Sequence, residues 1–162
     1  MSNDVEKLLR EIARLERDIE RLRTIEQTSV GIVPSARVYN DANISVANNS
    51  EQALTFNSER YDTDTIHSTS TNTGRLTCVT AGIYTIFGAV EYAGNSTGIR
   101  YLSIRLNGTT YIARIGAPAT STVVHALSIS CEYSLAATNY VELLCYQNSG
   151  GALNVNASGN YS

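Results

Sequence analysis

The feature that most constrains this chain is a helical stripe near its start. Apolar residues stand at Val5, Leu8, Ile12, Leu15, Ile19 and Leu22, at alternating spacings of three and four. That is an a/d heptad pattern, and it ends where Glu26 takes the next a position and Ser29 the next d. Ser2 or Asn3 can cap the start, and Asp4 and Glu6 suit the positive end of the helix dipole. A lone helix cannot bury such a stripe within itself. Both flanks are charged, so packing against copies of itself is favoured over packing on a sheet. Val and Ile at a with Leu at d suit two strands, whereas Leu9 at e and Ile25 at g widen the stripe toward three. The helix therefore predicts an oligomer and leaves its copy number open.

Composition bounds the remainder of the chain. Residues 1–26 carry 13 of the 27 charged side chains, so the body beyond the helix is polar through hydroxyls and amides. The net charge is −3 and Lys7 is the single lysine, which offers no basic field to a phosphate backbone; nucleic acid is not an expected partner. No stretch approaches the roughly 18 apolar residues of a membrane span. The opening MSNDVEK lacks the basic-then-apolar order of a signal peptide, so the expectation is synthesis in a cytosol without membrane insertion. On that footing the sequons at Asn43, Asn48, Asn95, Asn107 and Asn156 reflect composition rather than glycans. Cys78, Cys131 and Cys145 are an odd set without CxxC spacing, each in an apparent strand; three reduced core thiols are expected, ahead of one disulfide plus a free thiol.

TSVGIVPSA, residues 28–36, reads as a linker with Gly31 and Pro34. Beyond it come short alternating runs at 36–39, 44–47, 52–57, 75–79, 82–92, 100–107, 109–116, 123–133, 139–147 and 153–157. This spacing predicts a β-sandwich or jelly roll. In GIYTIFGAVEY, Tyr84, Ile86, Val90 and Tyr92 share one face, while Ile83 and Phe87 lie on the other, so cover on both sides is expected, by the core and by a neighbouring subunit. YLSIRLNGTTYIARI reads as a hairpin turning at Asn107-Gly108, with Leu102, Ile104 and Leu106 inward. His125 alternates with Leu127, Ile129, Cys131 and Tyr133.

These segments resemble the C1q/TNF-like jelly-roll family. AGIYTIFGAVEY, LSIRLNGTTYIA and HALSISCEYSLAATNYVELLCYQ stand where the family has its aGxYxF strand, its Asn-Gly turn and its paired LxLxxGDxVxLxx unit. RVYNDANISVANNSEQALTFNSERYDTDTIHS is similar to the C1q-like modules of tailed-phage structural proteins. The resemblance spans residues 36–161 and implies a mainly β, antiparallel jelly-roll sandwich, trimeric, with an N-terminal coiled coil. It implies a division into a trimerisation stalk (1–27), a linker (28–35) and a head (36–162). Thr138-Asn139 replaces the family's Gly-Asp. The family also closes with an aromatic-rich strand beyond the equivalent of NASGNYS, so that strand is expected to be missing or supplied by another chain.

Little in the sequence points to catalysis. His67 and His125 are the only histidines, and no G-x-S-x-G, H-E-x-x-H or P-loop is present. Glu91, Glu132 and Glu142 sit on separate expected strands, which does not suit a carboxylate pair in one cleft. Glu59, Asp62 and Asp64 are weak candidates for Ca²⁺ in a segment without an EF-hand pattern; a turn whose carboxylates bond their own backbone is the favoured reading, and no cofactor is expected. The expected function is non-enzymatic: a homotrimeric phage head fibre, decoration or spike on the virion surface. Its stalk meets other virion proteins, and its loops 93–99, 116–122 and 147–152 meet a host protein or glycan. Asn95, Ser96, Thr97, Thr120, Ser121, Asn148 and Ser149 are the candidate contact residues. The alternatives are a bacterial surface or secreted binding module, and a capping trimer without ligand.

Overall fold

The computed structural model describes residues 3–29, 31, 33–120 and 122–157. The chain divides into two compact units, Met1–Val33 and Pro34–Ser162. In the first, α1 (Asn3–Ser29) carries the heptad stripe. Three ion pairs at helical spacing, Glu6–Arg10, Arg14–Asp18 and Glu20–Arg23, hold its polar flanks at 3.8–3.9 Å. Pairs so exposed add little stability. The stripe residues Val5, Leu8, Ile12, Leu15, Ile19 and Leu22 are 44–62% exposed, so their apolar surface is left open to another chain.

The second unit is built from β1 (Ala36–Tyr39), β2 (Ile44–Val46), β3 (Ser50–Ala53), β4 (Ser58–Asp62), β5 (Leu76–Thr77), β6 (Gly82–Tyr92), β7 (Ile99–Leu106), β8 (Thr110–Pro118), β9 (His125–Leu135), β10 (Tyr140–Gln147) and β11 (Leu153–Val155). One sheet runs β2-β11-β6-β9; the other runs β3-β10-β7-β8, with β5 also on β10. Every pairing is antiparallel, and β1 and β4 form a separate ladder. The partners β2–β11, β3–β10, β6–β9 and β7–β8 are one long hairpin folded over itself, which is the strand order of a jelly roll.

Local chemistry explains the layout. Asn107 and Gly108 both adopt positive φ, 50° and 72°, as the two-residue turn between β7 and β8 requires. The period-two pattern then assigns faces. Val90, Tyr92, Leu127 and Ile129 from one sheet meet Leu102, Ile104, Val141 and Cys145 from the other, all in one buried cluster. The Tyr92 side chain crosses the core, and its hydroxyl donates to the Tyr101 carbonyl at 2.7 Å, with the Tyr146 carbonyl at 3.3 Å. Both carbonyls belong to the opposite sheet. Cys78, Cys131 and Cys145 are free thiols, and burial pushes the Cys145 thiol up to about 12.

The outer face of the β3-β10-β7-β8 sheet is covered by its own polar side chains. Glu142 pairs with Arg105 at 2.9 Å and with Arg75 at 3.6 Å. Glu51 pairs with Arg114 at 2.6 Å and accepts the Tyr111 hydroxyl. The Arg114 guanidinium lies over the Tyr111 ring at 4.5 Å and near Tyr101 at 5.4 Å. Beneath this layer Leu144, on the face away from the core, is only 1% exposed.

The structure corrects several expectations. β4 was not anticipated, because SERYD shows no apolar alternation; it forms by pairing with β1. The run expected at 52–57 is displaced to Ser50–Ala53, with Leu54 and Phe56 packed in irregular backbone. On the outward face of β6, Ile83 is 79% and Phe87 70% exposed among the described residues of one chain, so the cover expected there would have to come from a neighbouring subunit. β11 does occupy the place between β2 and β6, yet its ladder with β6 comprises one residue pair, Val155 with Tyr92. Since the Tyr92 hydroxyl joins the sheets, Tyr92→Phe is expected to lower stability by about 1–2 kcal/mol, read as a lower urea midpoint with an unchanged slope.

Candidate functional site

The loops singled out in the sequence come together at one end of the sandwich. The β6–β7 loop meets the β8–β9 loop where the Ala119 amide donates to the Gly98 carbonyl at 2.9 Å. It meets the β10–β11 loop where the Ile99 amide donates to Asn148 Oδ1 at 2.6 Å. The turn between β2 and β3 joins them, with Gly150 donating to Asn48 Oδ1 at 2.8 Å. The approach is close enough to require glycine. A Cβ at Gly94 would lie 1.9 Å from the Thr122 carbonyl oxygen, and Gly98, at φ +80°, would place one 2.3 Å from the Asn148 carbonyl oxygen.

Two buried polar side chains hold this end from below. Arg100, wholly buried, donates to the Thr97, Ile99 and Asn95 carbonyls at 2.9, 3.2 and 3.1 Å. Its guanidinium faces the Tyr92 ring at 5.9 Å, and its Nε has no partner among the described residues. Burial pulls the Arg100 pKa down, with Tyr92 acting in the opposite sense. Gln147, also wholly buried, donates to the Val46 and Gly151 carbonyls at 2.9 and 2.8 Å and accepts from the Ser149 amide at 2.7 Å. Neither residue was picked out from the sequence. The signal was there: each occupies a core-facing step, Arg100 before Leu102 and Ile104, and Gln147 after Val141, Leu143 and Cys145.

The candidate contact residues divide by role. Asn95 accepts the Thr97 amide at 2.8 Å, Asn148 holds Ile99, and the Ser149 hydroxyl donates to Gly151 at 3.2 Å, so these side chains shape the loops. Ser96, Thr97 and Thr120 are exposed. Ser121 lies outside the described residues. What this end offers a ligand is a firm surface of hydroxyls and backbone amides, suited to hydrogen bonding with polar, uncharged groups.

The acidic segment is a second polar cluster, away from these loops in sequence. Asp62 accepts the amides of Asp64, Ile66 and His67 at 3.1, 3.0 and 2.8 Å. Burial alone raises the Asp62 carboxyl, but the backbone amides of Ile66, His67, Asp64 and Thr65 outweigh it and set the pKa below the usual range. Asp64 accepts from the Thr80 amide at 3.2 Å. Glu59 Oε1 lies 2.8 Å from His67 Nδ1, and His67 Nε2 faces the Thr73 carbonyl at 3.1 Å. The three carboxylates thus bond backbone and a histidine, and among the described residues no group of three His, Cys, Asp or Glu is arranged to hold a metal ion. A small cavity of about 220 Å³ lies beside His67, lined by Thr65, Ser68, Asn72 and Arg75 among others. His125 is half-buried at the start of β9, opposite Tyr92 in the ladder.

No family model matches the sequence, and no curated protein matches it. Among solved structures, the chain is similar to the globular domain of zebrafish complement 1qA protein, at 18% identity over 70% of this chain and 92% of that one, with a TM-score of 0.49. It is also similar to murine APRIL at pH 5.0, at 9% identity over 70% and 95% of the two chains, with a TM-score of 0.48. Eiger TNF from S. frugiperda is similar at 10% identity over 76% and 90%, again at 0.48.

The Asp62 geometry carries a pH prediction. A carboxyl whose pKa is depressed in the folded state stabilises above its unfolded value, about 3.9, and that contribution is lost as pH falls through the folded value. Asp62→Asn should cost about 1–3 kcal/mol at neutral pH, and its deficit against the parent should shrink as denaturation is measured below about pH 4.

Proposed function

We propose that this chain is a non-enzymatic display module. Three copies join through the α1 stripe, and the loop end of each jelly roll is held toward a host-surface protein or glycan. The setting we infer is the surface of a tailed-phage virion, as a short head fibre, decoration or spike, with other virion proteins meeting the helix. The observation that carries the reading is the heptad stripe, apolar at every a and d position from Val5 to Leu22 and open to solvent throughout. Burying six such side chains on neighbouring copies is worth about 1.5–3 kcal/mol each. Leu9, 55% exposed beside the stripe, supports three copies over two, because a third helix covers more of each neighbour's surface.

The head contributes to the same reading. Ile83 and Phe87 stand out from the β6 face beside Ala89, an apolar strip that further suits packing between copies. The exposed hydroxyls of Ser96, Thr97 and Thr120 are individually weak contacts, and presenting them threefold on one assembly multiplies their effect. The setting rests on the resemblance of residues 36–161 to C1q-like modules of phage structural proteins.

Light scattering tests the assembly. The expected mass is three times the 17.5 kDa of one chain, shifting toward the monomer in Leu15→Asp. A dimer or a monomer for the parent overturns the trimeric reading. Glycan-array and host-cell binding by the labelled assembly tests the display role. Ser96→Ala, Thr97→Ala and Thr120→Ala together should weaken binding at least tenfold; unchanged binding removes the loop end from the proposal.

A further inference from the structure

Besides holding the β6–β7 loop, Arg100 sets which way that loop's amides face. Its Nη2 draws in the Asn95 carbonyl and its Nη1 the Thr97 carbonyl. A trans peptide is planar, so the carbonyl of one residue and the amide of the next point in opposite directions. The amides of Ser96 and Gly98 are therefore turned away from the guanidinium, on a stretch where Ser96 and Thr97 are exposed. The alternate amides are already occupied: Thr97 donates to Asn95 Oδ1 and Ile99 to Asn148 Oδ1. Among the described residues no acceptor meets the amide of Ser96 or of Gly98.

Charge decides what this pair suits. The segments 47–50, 93–99, 116–122 and 147–152 contain no ionisable side chain. Beneath them Arg100 is wholly buried and, at Nε, without a partner among the described residues. Glu51 and Glu91, on the adjoining strands, are engaged with Arg114 and Asn156. A buried charge is screened far less than an exposed one, and hydrogen bonds in a row polarise one another. Each guanidinium–carbonyl bond thus makes the N–H at the far end of its peptide a better donor. Outward amides backed by a fixed positive charge favour an anion. One cation and two donors match the single charge and two oxygens of a carboxylate; a phosphate brings more charge and a third oxygen.

We propose that the Ser96 and Gly98 amides bind the carboxylate of an acidic sugar. The exposed hydroxyls of Ser96, Thr97 and Thr120 take the uncharged part of its ring. This rests on the proposed role of the loop end toward a glycan and names the class of sugar. Arg100 acts only through the two peptides, as a positioning residue.

Titration of methyl glucuronate into the isotope-labelled full chain, followed by amide NMR, tests it, with methyl glucoside and acetate alongside. The Ser96 and Gly98 signals should move with glucuronate, and those of Thr97 and Ile99 should move less. Glucoside lacks the charge and acetate lacks the ring, so each should bind at least about tenfold more weakly. Arg100→Met should abolish the preference for glucuronate over glucoside, a selectivity that a merely structural role would not set. If that variant does not fold, Ser96→Pro, which deletes one donor and keeps Arg100, should still weaken glucuronate at least about tenfold. Unmoved Ser96 and Gly98 signals overturn the proposal, as does equal binding of glucoside or of acetate. The display role fails separately, when host cells ignore an assembly whose loop amides still respond to glucuronate.

Discussion

The loop end depends on how one buried charge is satisfied. Arg100 is wholly enclosed with no carboxylate in contact among the described residues, and an isolated ion in a protein interior is costly. The chain meets the guanidinium with three carbonyls from its own preceding loop and the face of Tyr92. To deliver them, residues 95–99 must curl back over the side chain, which forces Gly98 to positive φ and sets it against Asn148 and Ala119. A lysine could not reproduce this, because a compact ammonium does not reach three carbonyls in a planar fork. The candidate binding surface is thus shaped by a residue that no ligand can touch.

Much of the architecture was legible in the sequence, and the gaps have physical causes. The heptads gave α1, and the inward alternation of Tyr84–Tyr92 and Leu102–Leu106 gave the core strands, since a half-buried strand must alternate. Asn107-Gly108 gave the hairpin because few residue pairs accept positive φ twice. β4 left no such trace: it pairs with β1 through backbone bonds, which any sequence can make. Outward apolar residues were the reverse difficulty. Ile83 and Phe87 stand outward on β6, and alternation reports their apolarity but not what covers them.

The site was readable as a set of loops and not as a set of roles. Asn95 and Asn148 look like surface amides in a polar stretch, yet both spend their side chains on neighbouring backbone. Asn and Asp do this readily in turns, and only the fold shows which of them do it. The acidic segment obeys the same rule, with Asp62 closing the turn that carries His67.

The polar covering of the second sheet has a mechanical consequence. Glu51 belongs to β3 and Arg114 to β8, the two outermost strands of the order β3-β10-β7-β8. Their contact therefore bridges the sheet from rim to rim, a span of about 14 Å of backbone. Between them the Tyr146 and Tyr101 rings lie 5.6 Å apart in register on β10 and β7. Sliding any one of these strands would break the row as a whole, so the four strands resist shear as a single plate.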